Sequence, residues 1–278
     1  MSLPTPGIYP RMSRAEYEKI DAVNWSTLKH YQRSPRHARY AMDHPKPPSK
    51  AMEKGTAVHM AVLEPERFKD EYIILPKIDR RTKKGKAEWA EAEANLKPGQ
   101  SFCEQGWYDY IRAVRDEIIK HPTITPLLSG VGLNEVCCVA KRNIDGVDVL
   151  TKSLHDRIKD LDGYTWNVDF KSCVSAEPWR FGPQACTLGY PGQAAFYTDN
   201  LDIAVPSEKE RRFIFIAWES EAPYCPKVYE LEDLEIGRTL TRRLLRLHVK
   251  CTKTNHWPGY PTEIDLLRLP DWYKEANT

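Results

Sequence analysis

An aspartate and a lysine two residues apart, Asp169 and Lys171, lie in the alternating run Thr165-Trp-Asn-Val-Asp-Phe-Lys171. In such a run Trp166, Val168 and Phe170 point one way and Asn167, Asp169 and Lys171 the other, the period of a half-buried β-strand. A carboxylate and an ammonium side by side on one strand face suit metal-dependent phosphodiester hydrolysis. The carboxylate holds a divalent cation, while the ammonium orients or helps deprotonate the attacking water, or stabilises charge on the phosphate. An exposed strand with ordinary charge alternation carries the same spacing, so the pair by itself does not decide between the two.

Two turn signals bring further carboxylates to it. Asp162-Gly163 separates two strand-like runs, and Asp-Gly suits a two-residue hairpin because both positions tolerate positive φ. A turn there sets Asp156 opposite Asp169. Asp145-Gly146 precedes Val147-Asp-Val-Leu-Thr151, and a turn there sets Glu135 opposite Asp156. Opposed residues lie about 4.5–5.5 Å apart at Cβ, and like charges so placed repel. A row of three carboxylates is therefore costly unless a hard cation such as Mg²⁺ lies among them. A one-residue slip in either hairpin would turn them apart.

The elements around this meander follow from pattern and punctuation. A proline-bearing arm (Pro4, Pro6, Pro10) leads to the capping box Ser13-Arg-Ala-Glu16. Asn24 to Tyr31 starts a helix with Ser26 as expected N-cap, Arg36 to Asp43 forms a second, and Pro45, Pro47 and Pro48 impose an extended link. Met52 to Glu64 is a largely apolar helix with His59 as its one titratable interior residue. Such a histidine is commonly a core residue; small neighbours at Gly55, Thr56 and Ala57 leave room for close approach. Arg80-Arg-Thr-Lys-Lys-Gly-Lys86 reads as a basic loop, solvated or touching phosphates through Arg80, Arg81, Lys83, Lys84 and Lys86, with a helix from Ala87 to Leu96. Trp107 to Lys120 is amphipathic. Ser172 to Leu188, with Trp179 and Arg180, reads as a loop, and Tyr190 to Leu201 as a helix presenting Gln193 and Tyr197 on one face. Phe213 to Trp218 is a strand covered on both faces, Lys227 to Leu231 an edge strand, and Leu234 to Lys250 a long helix. The tail from Trp257 to Trp272 is expected to pack back on the core. There are no internal repeats.

Composition bounds the class. The chain has 278 residues, 41% hydrophobic and 29% charged, enough for one α/β domain of ordinary soluble character. No apolar run approaches a membrane span and no signal-peptide pattern is present. Seven cysteines without CxxC pairs read as reduced thiols, arguing against a zinc or iron–sulfur site and for a cytoplasmic protein. A net charge of +2 means that nucleic acid would be bound by local patches.

Gly55-Thr-Ala-Val-His59, Asp156, Asp169-Phe-Lys171 and Gln193-Ala-Ala-Phe-Tyr197 together resemble the ordered motifs of the RecB-like branch of PD-(D/E)XK nucleases. Over residues 6–273, with Gly7-Ile-Tyr9, Trp25-Ser-Thr-Leu28, Ser34-Pro35, Ala61 to Phe68 and Trp257-Pro-Gly-Tyr260 included, the chain resembles prophage-encoded RecE-type exodeoxyribonucleases. The resemblance implies one nuclease domain over residues 1–278, with an N-terminal arm and helices to residue 50 and a core of mixed sheet flanked by helices from residue 51. It implies His59, Asp156, Asp169 and the Phe170 carbonyl as ligands of Mg²⁺ (or Mn²⁺), and Lys171 as the catalytic lysine. Gln193 and Tyr197 match an accessory motif that contacts DNA or positions the site. Glu135 stands where many relatives carry an acid, serving a second metal or orienting water. It further implies processive 5′ to 3′ digestion of duplex DNA ends, a homo-oligomeric ring (trimer or tetramer) and a single-strand annealing protein as partner in phage recombination. Ser153-Leu-His155 departs from the glycine- or proline-bearing segment common before the second motif. The competing classes are a RecB- or Cas4-like endonuclease or single-strand nuclease, and a catalytically silent DNA-end-binding protein.

Overall fold

The computed structural model describes residues 5–10, 12–75 and 78–275, with Trp272 in its backbone only. Pro4 of the proline-bearing arm lies outside the described residues. In chain order the elements are β1 (Gly7–Pro10), α1 (Arg14–Lys19), α2 (Trp25–Leu28), α3 (Pro35–Asp43), α4 (Lys50–Leu63), α5 (Pro65–Glu71), β2 (Tyr72–Leu75), α6 (Lys83–Ala94), β3 (Ser101–Glu104), α7 (Gln105–Lys120) and α8 (Ile124–Leu128). The meander β4 (Leu133–Ile144), β5 (Val147–Leu161) and β6 (Tyr164–Cys173) follows. Then come α9 (Pro178–Leu188), α10 (Tyr190–Ala204), β7 (Arg211–Glu219), β8 (Pro226–Glu230), α11 (Leu234–Thr254) and α12 (Asp271–Glu275).

Six strands form the main sheet in the order β1-β4-β5-β6-β7-β8. Both Asp-Gly turns adopt positive φ, 50° and 85° at Asp145 and Gly146, 50° and 82° at Asp162 and Gly163. They set the expected registers, Asn134 opposite Arg157 and Arg157 opposite Val168. β6 and β7 pair in parallel, so the chain between them must cross over, and α9 and α10 make that crossing. The sheet is thus mixed, with helices on both faces. β2 and β3 form a separate two-stranded parallel sheet.

Val168, Phe170, Ile214, Ile216 and Trp218 pack with Val58, Ala61, Ile111, Val114, Ile118 and Leu127 of α4, α7 and α8. On the other face Phe213, Phe215 and Ala217 pack with Phe181 and Ala194 of α9 and α10. Each large side chain fully buried this way contributes roughly 1.5–3 kcal/mol. β6 is consequently covered on both faces, not half-buried: the crossover lays α10 over Asn167 and Asp169, which are 1% and 3% exposed.

Four other expectations are corrected. The segment after β6 holds a helix, α9, because Pro178 occupies the first helical turn, where its missing N–H costs nothing, and Gly189 at φ 78° ends it. Asn24, not Ser26, caps α2: its Oδ1 accepts from Thr27 N at 2.8 Å and from Ser26 Oγ at 2.8 Å. Thr82 caps α6 by accepting from Gly85 N at 2.9 Å, so Lys83, Lys84 and Lys86 belong to a helix rather than a loop. In the tail Trp257 packs near Tyr31, but Ile264, Leu266 and Leu267 are 102%, 83% and 84% exposed and do not return to the core.

Candidate functional site

The ladder between β5 and β6 ends at Arg157–Val168, while β6 goes on pairing with β7 as far as Cys173 and β5 continues beside β4. Asp156 and Asp169 therefore stand just past the last rung, at the fork where two strands part. Phe170 N–H, which has no ladder partner on β5, donates instead to Asp156 Oδ2 at 2.8 Å. β4 and β5 hold one register on both sides of Glu135 and Asp156, but those two residues form no rung, and Glu135 takes φ 47°. Asn134 reaches Leu63 O on α4 at 2.7 Å, whereas Val136 packs with Ile158 and Leu201 toward α10. Likewise Arg157 donates to Leu127 O on α8 at 2.6 Å, whereas His155 faces Asn167 and the Tyr197 ring. The two-residue alternation breaks in both strands at once. Left-handed backbone at a glutamate costs on the order of 1–3 kcal/mol and persists only where its surroundings impose it.

That break brings the acids to α4. Ligand atoms of His59, Glu135 and Asp156 all lie within 4.8 Å of one another, the one such cluster found among the described residues. His59 Nδ1 is 3.6 Å from Asp156 Oδ2, and a backbone hydrogen bond joins His59 to Phe170. Asp169 is outside this cluster: its Oδ2 pairs with Lys171 Nζ and its Oδ1 accepts from Gln193 Nε2 at 2.8 Å. Of the expected ligands, then, the structure groups His59 and Asp156 with Glu135 and leaves Asp169 on the lysine side of the fork. One imidazole nitrogen with two carboxylates is a donor set that can hold a divalent cation.

Burial dominates the electrostatics. It lowers His59 to about 4 against the pull of Asp169, so the ring is neutral and can offer a nitrogen. It raises Asp156 and Asp169 to about 6 in spite of Lys171. Glu135 is raised to about 8, first by burial and then by Asp156. Acids held this far above their ordinary range are destabilised as anions, a condition a cation relieves. For Lys171 burial alone would lower the pKa, but Asp169 and Asp156 outweigh it and hold the group as an ammonium. Its Nζ lies 4.9 Å from the Tyr190 ring centroid. An ammonium so held is suited to donating a hydrogen bond and stabilising negative charge.

Gln193 reaches the site, while Tyr197 stands behind it, its ring 5.0 Å from His155. Trp179 and Arg180 sit at the start of α9, beyond the same end of β6; Trp179 is exposed, with the Arg180 guanidinium 4.5 Å over its ring. Arg80, Arg81, Lys83, Lys84 and Lys86 lie at the exposed start of α6, where Arg80 covers Trp89 at 4.1 Å. No described contact joins them to the fork.

Two features went unread in the sequence. Lys29, half-buried, is lowered by burial and by Lys171, and among the described ion pairs it has no acid. Its charge is thus felt by Lys171. Nothing marks it in a stretch that reads as a helix start. The departing segment Ser153-Leu-His155 proves structural: His155 Nε2 meets Ser153 Oγ and its Nδ1 meets Asn167 Oδ1, both at 2.9 Å. Asn200 Nδ2 donates to Ser153 Oγ at 3.2 Å, and Asn200 Oδ1 accepts from Thr151 Oγ1 at 2.8 Å and Arg142 Nε at 3.0 Å. This buried chain ties α10 to β4, β5 and β6 directly behind the acids.

Residues 24–270 match the sequence model of a family described as a PDDEXK-like domain of unknown function (DUF3799). No curated protein sequence matches. Among solved structures, a candidate exonuclease from Eubacterium rectale is similar at TM-score 0.55 and 12% identity, over 91% of this chain and 96% of that one. The structure of SSO0001 is similar at TM-score 0.35 and 12% identity, over 82% of this chain and 77% of that one.

Proposed function

Because the chain belongs to the PDDEXK-like family DUF3799, we propose that it is a divalent-metal-dependent nuclease that digests double-stranded DNA from its ends. In this reading digestion runs processively from 5′ to 3′ and leaves 3′ single-stranded tails for recombination by strand annealing. The observation that carries it is the fork, where His59, Glu135 and Asp156 converge beside the Asp169–Lys171 pair.

His59, Glu135 and Asp156 would hold Mg²⁺ or Mn²⁺, with the Phe170 carbonyl alongside. Bound there, the cation would lower the pKa of water and neutralise charge on the phosphate. Asp169 keeps Lys171 protonated and is itself oriented by Gln193. Lys171 can therefore donate to the attacking water or to a phosphate oxygen, with Lys29 adding a second positive charge. The pairing partners proposed with this activity are a single-strand annealing protein and further copies of the chain in a ring of three or four, in the cytoplasm of a phage- or prophage-bearing host. The prophage resemblance of the sequence supports these. Among the described residues no helix is long and apolar enough to cross a membrane.

A linear duplex blocked at one 5′ end, set beside closed circular plasmid with Mg²⁺ or EDTA, tests the reading. Degradation of the linear DNA alone, from the free 5′ end and only with metal, is expected. Cutting of the circle would make the protein an endonuclease, and no cleavage under any metal would leave a DNA-end-binding protein.

A further inference from the structure

A cleft of about 440 Å³ opens beside the fork, lined by Lys50, Lys54, Gly55, Tyr110, Ser172 and Ser220. We infer that it receives one unpaired nucleotide of the strand being cut, phosphate at the lysines and base on Tyr110; this rests on the nuclease reading.

Four observations converge. The cleft adjoins the reacting groups: Gly55 precedes His59 by about one turn of α4, Ser172 directly follows Lys171, and Ser220 N donates to Cys173 O at 2.9 Å. It therefore lies off the carboxyl ends of the one parallel pair in the main sheet, β6 and β7. Lys50 and Lys54 are four apart on α4 and share a face, and neither has an acid among the described ion pairs. Their charge is free for an anion.

Tyr110 supplies the second half of a nucleotide site. Its ring stands edge-on to Tyr224 at 5.4 Å, which holds it in place, and Lys54 Nζ lies 5.2 Å from its centroid. A cation next to an aromatic face is the pairing that binds a backbone phosphate together with a stacked base. The Ser172 and Ser220 hydroxyls make no described hydrogen bond, and so can serve sugar or base edges. Glu221 also lines the cleft; it repels phosphate and accepts from a base amino group, which orients the nucleotide with its phosphate toward the lysines. A volume of about 440 Å³ has room for a single nucleotide.

Fluorescence anisotropy of a labelled single-stranded oligonucleotide, titrated with the full chain across a salt series, tests this apart from cleavage. Lys50→Ala with Lys54→Ala should weaken binding at least tenfold and flatten its salt dependence. Tyr110→Ala should weaken it severalfold at every salt concentration. The lysines are exposed, so the thermal midpoint of that variant should match wild type and confirm folding. As a second route, Gly55→Leu fills the cleft from a position where an added Cβ meets nothing within 4 Å, and it too should weaken binding. Wild-type protein that fails to bind the oligonucleotide, or lysine variants that bind like wild type, would overturn the assignment. Hydrolysis of bis(p-nitrophenyl) phosphate with Mn²⁺ reads the fork itself. If the wild type binds the oligonucleotide through the cleft but leaves this diester intact, the nuclease reading fails and the cleft stands.

Discussion

If the fork works as proposed, Lys171 and Asp156 have different tasks there, and their substitutions should separate. Lys171→Ala removes a donor aimed at developing charge, so cleavage should fall by about 10²–10³ or more. Mn²⁺ affinity by calorimetry should hold, since Lys171 is not in the ligand cluster; undiminished cleavage would remove the lysine from the chemistry. Asp156→Asn should lose the metal instead. The same acids set a pH dependence. Burial holds Asp156 at about 6 and Glu135 at about 8, above their ordinary range, and a protonated carboxyl is no ligand. Cation binding must displace these protons, so the Mn²⁺-induced rise in melting temperature should grow from pH 5.5 to pH 8.5. His59, at about 4, is neutral throughout and contributes no proton. Without metal the sign reverses: the native state binds more protons than the unfolded chain between the ordinary carboxylate range and about pH 8, so these acids make stability fall as pH rises. A metal shift that shrinks with rising pH would contradict the assignment.

Elements hold the fork by close contact as well as by register. At Gly192, in the first turn of α10, a Cβ would fall 2.1 Å from Trp25 Cη2 of α2, one residue before Gln193. Gly192→Ala should therefore cost about 1–3 kcal/mol by overpacking, and it should lower cleavage as well, because Gln193 positions Asp169. Gly55→Ala is the contrasting case. Its Cβ meets nothing within 4 Å, and alanine in a helix interior should raise stability by about 0.5–1 kcal/mol. Thermal melts of the two variants should move in opposite directions. The capping box, the amphipathic α7 and both hairpins are local and were legible. The helix α9 was not, because prolines that start a helix and prolines that break one look alike without the neighbouring strand.

Across the whole molecule, charge and apolar surface are uneven. With a net charge of only +2, binding of an anionic polymer would rest on local cations such as Lys171 at the fork and Lys50 and Lys54 beside it. The tail after Pro261 exposes Ile264, Leu266 and Leu267 almost completely, and its described side chains lie at the surface. A chain ended at Pro261 should melt within a degree or two of the full-length protein, as exposed segments contribute little to folding. A fall of many degrees would show that the tail packs on its own or a neighbouring subunit.

Turn chemistry and strand period are local properties, and they sufficed for the two hairpin registers, since an Asp-Gly turn sets register; the expected row of opposed acids did not form, because neither Glu135–Asp156 nor Asp156–Asp169 is a rung of the sheet. They did not say which of those acids would gather at His59. That depended on the divergence of β5 from β6 and the paired break in alternation at Glu135 and Asp156, which drew Glu135 to His59 and left Asp169 to Lys171. Lys29 and the cleft beside α4 were equally beyond the sequence. Their neighbours come from strands and helices far away in the chain, and only the folded protein brings the Lys29 ammonium within electrostatic reach of Lys171.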